Sequence, residues 1–454
     1  MRLKIVFVSL FFIFSLAFGS FNVIGLSEFY EKNSAGLLES NTEWSVMYYM
    51  CGDAHMQEYI PSLVENLSNL GSNEKLNIVA LVDEKGENNS ELIYFSENNE
   101  KIRLNELYNW PNEVDTGKLN TLELFCTQMM ESYPAENYAF INFICGGVNW
   151  QKYCITESGE KKIVTIPEFA NSLGNIYKKT GSKIDVLFTS CGYSMFEIGY
   201  ELCTNLDYLV ATQDCFPYEH VVPLFFDSVK ELKNNTSLSA EEFAKKSPEN
   251  YDPVTFVYKD SYGDKKKKLT KFFYNTSLEK VRFVRHHSNV GVLNLSKFEE
   301  LKNTFDDLIS FLLLNMNDEE VFSGVKKSRE DVQELAKCSP ISPFLYSFYD
   351  KFPFEFLAFD TSVDLYDLIS LFKDNIKNTE IKKKCNLVLD KINESVSSVS
   401  GCKDIQTNGI NIYFPDSKYM YNKNKYKGKI PIKYEELKLS ENTLWDEFLK
   451  DFLW

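Results

Sequence analysis

The stretch Ile184-Asp185-Val186-Leu187-Phe188-Thr189-Ser190-Cys191-Gly192-Tyr193 is a short apolar run that stops at a cysteine and a glycine. A run of about four to eight apolar residues bounded by turn-forming residues is typical of a buried strand in a parallel sheet. Ligands of open α/β sheets bind beyond the carboxyl ends of such strands. We therefore predict a strand that delivers the thiol of Cys191 to a functional site.

A helix is predicted directly after this strand. Apolar residues recur with the period of an amphipathic helix at Met195, Ile198, Leu202 and Leu206. The positive end of such a helix would face the sulfur of Cys191 and lower the pKa of the thiol. A lone cysteine in an apolar run is also typical of an inert residue that packs as a small hydrophobe. The local sequence leaves both interpretations open.

Strands and helices alternate through the first half of the chain. Strands are predicted over residues 44–50, 76–82, 138–145 and 208–212, with an edge hairpin over 91–95 and 102–104. Helices are predicted over residues 56–67, 121–133 and 166–177. This alternation predicts an α/β fold with a mostly parallel sheet flanked by helices. Three of the predicted strands end in a cysteine, at Cys51, Cys145 and Cys191.

The second half of the chain is richer in charged helical segments, from about residue 238 onward. Helices are predicted over residues 295–314 and 362–376, and a late strand over residues 409–414. Lysine runs at residues 265–268 and 382–384 are typical of solvated faces, and we assign them no partner. This half is therefore predicted to be largely helical.

The amino terminus has the pattern of a secretory signal peptide. Arg2 and Lys4 precede an apolar run over residues 5–18, and Ala17 and Gly19 occupy the positions of a cleavage site. The run is shorter than the roughly 20 residues that a membrane anchor needs. We expect cleavage after Gly19, secretion, and no membrane span.

Charge and composition restrict the partners. The formal net charge of the full chain is −16, and loss of Arg2 and Lys4 with the leader would make it −18. Such acidity argues against nucleic acid and anionic membranes as partners. Asn-x-Ser/Thr sites, which favour glycosylation in a secreted protein, occur at Asn66, Asn88, Asn234, Asn235, Asn275, Asn294 and Asn393. Nothing in the sequence sets the oligomeric state.

Several kinds of site are not indicated by the sequence. The chain has 4 histidines, and the adjacent pair His286 and His287 lies in a basic segment typical of a surface. No H-E-x-x-H or paired C-x-x-C pattern is present, and neither is a phosphate-binding loop or a dinucleotide fingerprint. We therefore expect no cofactor and no metal.

Five dispersed patterns resemble the clostripain family of cysteine peptidases. They are Trp44-x-x-Met47-Tyr48-Tyr49-Met50-x-Gly52-Asp53, Tyr133-Pro134-Ala135-x-x-Tyr138-Ala139, Cys191-x5-Glu197, Gly409-x-x-Ile412-Tyr413-Phe414-Pro415 and Trp445-Asp446-Glu447-Phe448-Leu449. The resemblance implies a caspase-like fold, a cysteine–histidine dyad at the ends of neighbouring strands, and cleavage after lysine or arginine. Some members of the family also use calcium.

With this resemblance the chain divides into four parts. We predict a signal peptide over residues 1–19, a lead-in arm over 20–43, a caspase-like peptidase core over 44–237, and a clostripain-like carboxyl-terminal region over 238–454.

The resemblance assigns catalytic roles to this chain residue by residue. Cys191 matches the nucleophile, and Gly146 matches the glycine whose backbone N–H helps to form the oxyanion hole. The family's histidine lies just before that glycine, in a pattern of tryptophan, polar residue, histidine, glycine, glycine. The corresponding residues are Phe143-Ile144-Cys145-Gly146-Gly147, so Cys145 occupies the position of the base.

The resemblance also implies a pocket for a basic substrate residue. The family places one acidic residue two positions before the nucleophile, where this chain has Thr189, and another in the loop after the next strand, where Glu219 falls. One of the two acids is therefore missing. A threonine supplies none of the Coulomb energy of a carboxylate, so a preference for lysine or arginine should be weakened.

Loss of the base should impair catalysis. General acid–base assistance typically contributes about 10²–10⁴-fold to the rate. We predict a secreted pseudopeptidase that binds a peptide or another protein. The alternative is an active cysteine endopeptidase that cleaves after lysine or arginine and recruits another base, with His55 better placed than His220.

The strand-end cysteines suggest a disulfide in an oxidising compartment. A dyad spaces its Cα atoms by about 8 Å, whereas disulfides need about 4.4–6.8 Å, which disfavours a Cys145–Cys191 bridge. If the predicted strands have the order 2-1-3-4, Cys51 and Cys145 end adjacent strands ~4.8 Å apart. We expect either a Cys51–Cys145 bridge with Cys191 free, or three reduced thiols.

Overall fold

The computed structural model places most of the chain from residue 42 onward. The structure describes residues 42–51, 57–143, 149–155, 162–189, 192–213, 218–250, 255–258, 284–287, 289–333, 362–401, 407–418, 421 and 432–454. Thr42–Trp454 forms one compact unit. His55, Cys145, Gly146 and Cys191 lie outside the described residues.

A nine-stranded sheet lies at the centre of this unit, in the order β14-β12-β9-β8-β5-β1-β2-β3-β4. Its strands are β1 (Trp44–Cys51), β2 (Leu76–Asp83), β3 (Ser90–Phe95), β4 (Lys101–Arg103), β5 (Asn137–Phe143), β8 (Ile184–Phe188), β9 (Leu206–Ala211), β12 (Asn289–Asn294) and β14 (Val396–Gly401). Two-stranded sheets pair β6 (Cys154–Ile155) with β7 (Ile163–Val164), β10 (Thr255–Tyr258) with β11 (Val284–His287), and β13 (Ser362–Asp364) with β15 (Asn411–Tyr413).

Helices connect and cover these strands. They are α1 (Ile60–Leu70), α2 (Asn105–Tyr108), α3 (Leu119–Ser132), α4 (Ile166–Thr180), α5 (Phe196–Leu202), α6 (Tyr218–Asn234), α7 (Ala240–Asn250), α8 (Phe298–Asn315), α9 (Glu319–Asp331), α10 (Leu365–Asn375), α11 (Thr379–Ser395), α12 (Lys438–Glu441) and α13 (Trp445–Leu453). Short 3₁₀ helices occur at Asn149–Gln151, Leu295–Lys297 and Tyr434–Glu436.

The five central strands β2, β1, β5, β8 and β9 are parallel, and an antiparallel pair flanks them on each side. All residues of β1 are buried, as expected for a strand covered on both faces. The order β2-β1-β5-β8 is the 2-1-3-4 order on which the Cys51–Cys145 bridge depends. The bridge itself stays a prediction, because Cys145 lies outside the described residues.

Helices pack on both faces of the sheet. On one face, Trp44 packs edge-on against Phe243 of α7 with ring centroids 5.1 Å apart, and apolar residues of α1 and α6 complete the cluster. On the other face, the ring of Tyr49 lies 5.7 Å from Phe125 of α3. The mostly parallel sheet flanked by helices confirms the predicted α/β fold class.

Several predicted boundaries differ from the structure. The helix after residue 191 ends at Leu202, and Leu206 begins β9 instead of continuing the apolar stripe of that helix. Residues 362–364 form β13 before α10 begins at Leu365. The second half of the chain also supplies β12 and β14 to the main sheet, which the sequence analysis did not predict. It is therefore not only helical with one late strand.

Close packing around α5 makes a testable prediction. A Cβ at Gly199 would lie 2.2 Å from Cε1 of Phe298, a fully buried ring, so Gly199→Ala should destabilise the fold by about 1–3 kcal/mol. Gly174→Ala on α4 is the matched control, because its Cβ would meet only the side-chain amide of Asn205 at 3.1 Å. Urea unfolding measures both changes. Equal midpoints for the two variants would contradict the packing argument.

Candidate active site

The strands that precede the two predicted dyad positions are neighbours in the sheet. β5 pairs with β8 in parallel, with Ala139 opposite Val186 and Ile141 opposite Phe188. Their carboxyl ends therefore lie side by side. In the sequence, Cys145 follows the end of β5 by two residues, and Cys191 follows the end of β8 by three. The positions of their sulfur atoms lie outside the described residues.

The residues on either side of Cys191 are tied to the end of β9. The backbone N–H of Thr189 donates to the carbonyl of Val210 at 3.0 Å, and the N–H of Gly192 donates to Oγ1 of Thr212 at 3.3 Å. Ser194 N–H donates to the carbonyl of Thr212 at 3.1 Å. Gly192 has φ +74°, a conformation that favours glycine. The chain around Cys191 is thus anchored from both sides.

Gln213 directly follows Thr212 in the chain and is the centre of a buried polar network. Its backbone N–H donates to Oδ1 of Asn289 at 3.0 Å, and its carbonyl accepts from Nδ2 of Asn411 at 2.8 Å. Its side-chain Oε1 accepts from Asn289 Nδ2 at 2.5 Å and from the N–H of Gly409 at 2.8 Å. Its Nε2 donates to Asn411 Oδ1 at 2.7 Å and to Asp364 Oδ2 at 3.1 Å.

Asp364 supplies the negative charge of this network. The side chain is fully buried, and burial raises the pKa of its carboxyl above the usual value. It accepts hydrogen bonds from Gln213, from the backbone and side chain of Asn408 at 2.7 and 3.0 Å, and from the N–H of Asp367 at 3.0 Å. The donors offset part of the desolvation cost of the carboxylate.

The network residues were not found by sequence analysis, although a weak signal was present. Gln213 follows β9, Asn289 begins β12 and Asn411 begins β15, so each is a polar residue at the end of a strand. Polar side chains at strand ends are common at turns, and only the three-dimensional structure shows that these converge.

Thr189 occupies the predicted position of a pocket acid and has a largely apolar environment. It is 3% exposed and lines an internal cavity of about 10 Å³. The other lining residues are Tyr153, Ile166, Phe169, Leu187, Tyr193, Ile198, Leu202 and Leu209. Such a volume holds about one water molecule at most. None of these lining residues carries a carboxylate that could balance a buried cation.

The remaining predicted residues are only partly described. Glu219 and His220 lie in the first turn of α6, but their side chains are not among the described atoms. His286 and His287 end β11, again without described side chains. His55, the base favoured in the alternative interpretation, lies outside the described residues.

Glu197 has a structural setting that the motif alone did not indicate. It is fully buried in the first turn of α5, and its Oε1 accepts from the backbone N–H of Tyr413 at 2.8 Å and from the hydroxyl of Tyr434 at 2.7 Å. Among the described residues, Oε2 has no hydrogen-bond partner. Burial raises the pKa of Glu197 to about 7. The carboxyl therefore clamps two carboxyl-terminal segments onto the helix that follows Cys191.

An aromatic cluster extends this clamp to the segment that follows Cys145. The ring of Trp150 lies 5.3 Å from Tyr413 and 5.1 Å from Tyr434, both edge-on. Trp445 donates its indole N–H to the carbonyl of Tyr413 at 3.0 Å. Glu197, Tyr413 and Trp445 thus form one contiguous cluster, although they come from three different sequence patterns quoted above.

Within the described ranges, no group of three or more histidine, cysteine, aspartate or glutamate side chains could hold a metal ion. No helix in the described part of the chain is long and apolar enough to cross a bilayer.

Comparison with known families settles the relationship. The family model of clostripain matches residues 48–452. The chain belongs to the clostripain family. This confirms the resemblance deduced from the dispersed motifs. No curated protein sequence matches the chain.

Two solved structures of C11 cysteine proteases share the fold. One is a secreted protease from Bacteroides thetaiotaomicron in complex with an irreversible peptide inhibitor, with 12% identity and a TM-score of 0.57. The other is an inactive zymogen from Parabacteroides distasonis, with 13% identity and a TM-score of 0.56. Each alignment covers 89% of this chain and 99% of the other. At these identities the likeness concerns the fold alone, and it confirms the caspase-like architecture.

The buried carboxyl of Glu197 predicts a pH-dependent stability. Its pKa of about 7 in the folded chain exceeds the ordinary value of 4.5, so the folded state binds more protons between these values. The free energy of unfolding should fall as pH rises from 4.5 to 7, with a slope of up to about 1.4 kcal/mol per pH unit. Glu197→Gln should remove this slope because glutamine does not titrate, and its side-chain oxygen can still accept from both donors.

Glu201→Gln, one helical turn further along α5, is the matched comparison. Burial also raises the pKa of Glu201, but Lys438 Nζ lies 3.6 Å from its carboxylate and favours the charged form. Glu201→Gln should therefore change the pH slope of the unfolding free energy less than Glu197→Gln does. Denaturant unfolding at a series of pH values measures both, and an unchanged slope in Glu197→Gln would contradict the assignment.

Proposed function

We propose that this member of the clostripain family is a secreted, glycosylated pseudopeptidase that binds a peptide or protein. The observation that carries the proposal is Cys145 at the position of the family's histidine. The parallel pairing of β5 with β8 supports this alignment, because it brings the two strands that lead to Cys145 and Cys191 together. A nucleophilic cysteine needs a base to accept its proton, and a thiol at this position is a poor substitute.

The expected loss of activity is large. General acid–base assistance contributes about 10²–10⁴-fold, and an unassisted cysteine is only a few per cent thiolate near neutral pH. Without the imidazolium partner, the thiolate of Cys191 also lacks the ion pair that would lower its pKa. Turnover should therefore be negligible beside that of a family member with an intact dyad.

The uncharged side chain of Thr189 supports a second loss, that of selection for basic residues. A carboxylate about 4 Å from a substrate cation contributes about 4 kcal/mol at an effective dielectric constant near 20. Thr189 supplies no such charge at the position of the family's first pocket acid. We propose that Glu219 is the remaining pocket acid and that any ligand is bound with little preference for lysine or arginine.

Peptidase assays test the proposed loss of catalysis. The purified mature protein should cleave peptides with lysine or arginine before the scissile bond no faster than its Cys191→Ala variant. Turnover clearly above that of Cys191→Ala would establish the endopeptidase alternative, and His55→Ala and His220→Ala would then identify the base.

Restoring the histidine provides a second test of the same proposal. Cys145→His should raise turnover by about 10²-fold or more, because it returns the base to its family position. Cys145→Ser is the matched control, since serine has the size of cysteine but is no base near neutral pH. A gain in both variants would show that Cys145 does not stand at the position of the base.

Secretion is tested by expression of the full chain in a eukaryotic secretory host. The mature protein should begin near Ser20 and shrink on a gel after glycosidase treatment. Five of the six sequon asparagines in the described ranges are exposed, namely Asn66, Asn88, Asn234, Asn235 and Asn393, whereas Asn294 is half-buried. An intact leader on protein that stays inside the cells would contradict the proposal.

A further inference from the structure

We propose that Gln213 is a positioning residue that fixes the chain directly after Cys191 and couples it to the carboxyl-terminal half of the protein. The inference rests on the proposed function, in which the carboxyl end of β8 presents a ligand-binding site. Gln213 acts through Thr212, its neighbour in the chain.

Gln213 is held more completely than a residue in an ordinary turn. It is 1% exposed, and its backbone N–H, its carbonyl and both polar atoms of its side chain form hydrogen bonds. The partners Asn289, Asp364 and Asn411 come from β12, β13 and β15, which are distant in sequence. The end of β9 is therefore set in place only when the carboxyl-terminal half has folded around it.

Hydrogen bonds connect Gln213, through its neighbour Thr212, to Gly192 and Ser194, which follow Cys191. Thr212 accepts the N–H of Gly192 on its hydroxyl and the N–H of Ser194 on its carbonyl. Ser194 is held again from the other side, since its carbonyl accepts from Asn411 N–H at 2.8 Å and its hydroxyl donates to the carbonyl of Gly409 at 2.5 Å. Gln213 bonds to both Gly409 and Asn411, so its amide side chain also holds the two residues that bind Ser194 from the carboxyl-terminal half.

The chemistry of the network requires an amide at this position. The Oε1 atom accepts from Asn289 and Gly409, while Nε2 donates to Asn411 and to the carboxylate of Asp364. A glutamate would place a second negative charge against Asp364, and an aliphatic residue would leave buried donors and acceptors without partners. Either change should displace the end of β9.

A purely structural role and a positioning role predict different results. If Gln213 only stabilises the fold, its substitution lowers the free energy of unfolding but leaves the thiol of Cys191 unchanged in the folded molecules. If it positions the chain directly after Cys191, the alkylation rate of that thiol and the pH at which it ionises change as well. Thiol reactivity is governed by local pKa and access, so it reports the immediate surroundings of the sulfur.

The experiment measures the rate at which iodoacetamide alkylates Cys191 as a function of pH, by mass spectrometry of the full mature chain. Cys203, a half-buried thiol at the end of α5, is the internal reference. Gln213→Glu and Asp364→Asn should each change the Cys191 rate at least about threefold while Cys203 stays within about twofold. The double variant, Gln213→Glu with Asp364→Asn, should recover toward the parent rate because it exchanges amide and carboxylate.

Two further variants keep the test decisive. Thr212→Val removes the hydroxyl acceptor of Gly192 at nearly constant shape, so it should change the Cys191 rate even if the Gln213 variants fold poorly. Gln128→Glu is the matched control. Gln128 is a partly buried glutamine on α3 that accepts from the indole N–H of Trp110, and its substitution should leave the alkylation rate of Cys191 unchanged. Unchanged Cys191 rates in folded Gln213→Glu and Thr212→Val would overturn the inference.

The outcome is separable from that of the proposed function. Alkylation of Cys191 requires no turnover, so the coupling is measurable in a pseudopeptidase and in an active enzyme alike. Peptide cleavage above the Cys191→Ala background would refute the pseudopeptidase proposal and leave the alkylation result standing.

Discussion

The parallel pairing of β5 with β8 is the contact on which the rest of the structure depends. It brings together the carboxyl ends of two strands that are separated in sequence by the whole of α4. Parallel neighbours require such a crossover, and α4 is well built for one, with a capping box at Thr165 and Glu168 and Gly181 at its end. A site at this edge is therefore a consequence of topology before any catalytic residue is considered.

The carboxyl-terminal half contributes to this edge in a different way. It adds β12 and β14 beside β9 and sends Asn289, Asp364 and Asn411 into the polar network around Gln213. Glu197 and the aromatic cluster hold the same half against the helix after Cys191. The two halves thus share one sheet and one buried network, so the loops at the site are not set by the first half alone.

The sequence predicts the central sheet well because each parallel strand is a continuous apolar run. It predicts β12 and β14 poorly: β12 has Gly291 within it and an asparagine at each end, and β14 is rich in serine with only two valines. Their strand conformation follows from pairing with a sheet already formed. Gln213 was missed for a related reason, since a buried amide is recognised by its partners and these are distant in the chain. The composition and local spacing of a sequence do not predict contacts between residues so far apart in the chain.

In the proposed alignment, the residues before Gly146 differ from the family pattern in a consistent physical direction. That alignment places Phe143, Ile144 and Cys145 where the family has a tryptophan, a polar residue and a histidine, so each difference removes a polar group or replaces it with a weakly polar thiol. Phe143 is fully buried and packs against Phe225 with ring centroids 5.9 Å apart. An imidazole that exchanges protons needs solvent or a hydrogen-bonded orienting partner, whereas a cysteine packs as a small hydrophobe. With the proposed alignment, the residues at the end of β5 thus favour packing over proton transfer, while the network that orders the end of β9 is built from Gln213, Asn289, Asp364 and Asn411.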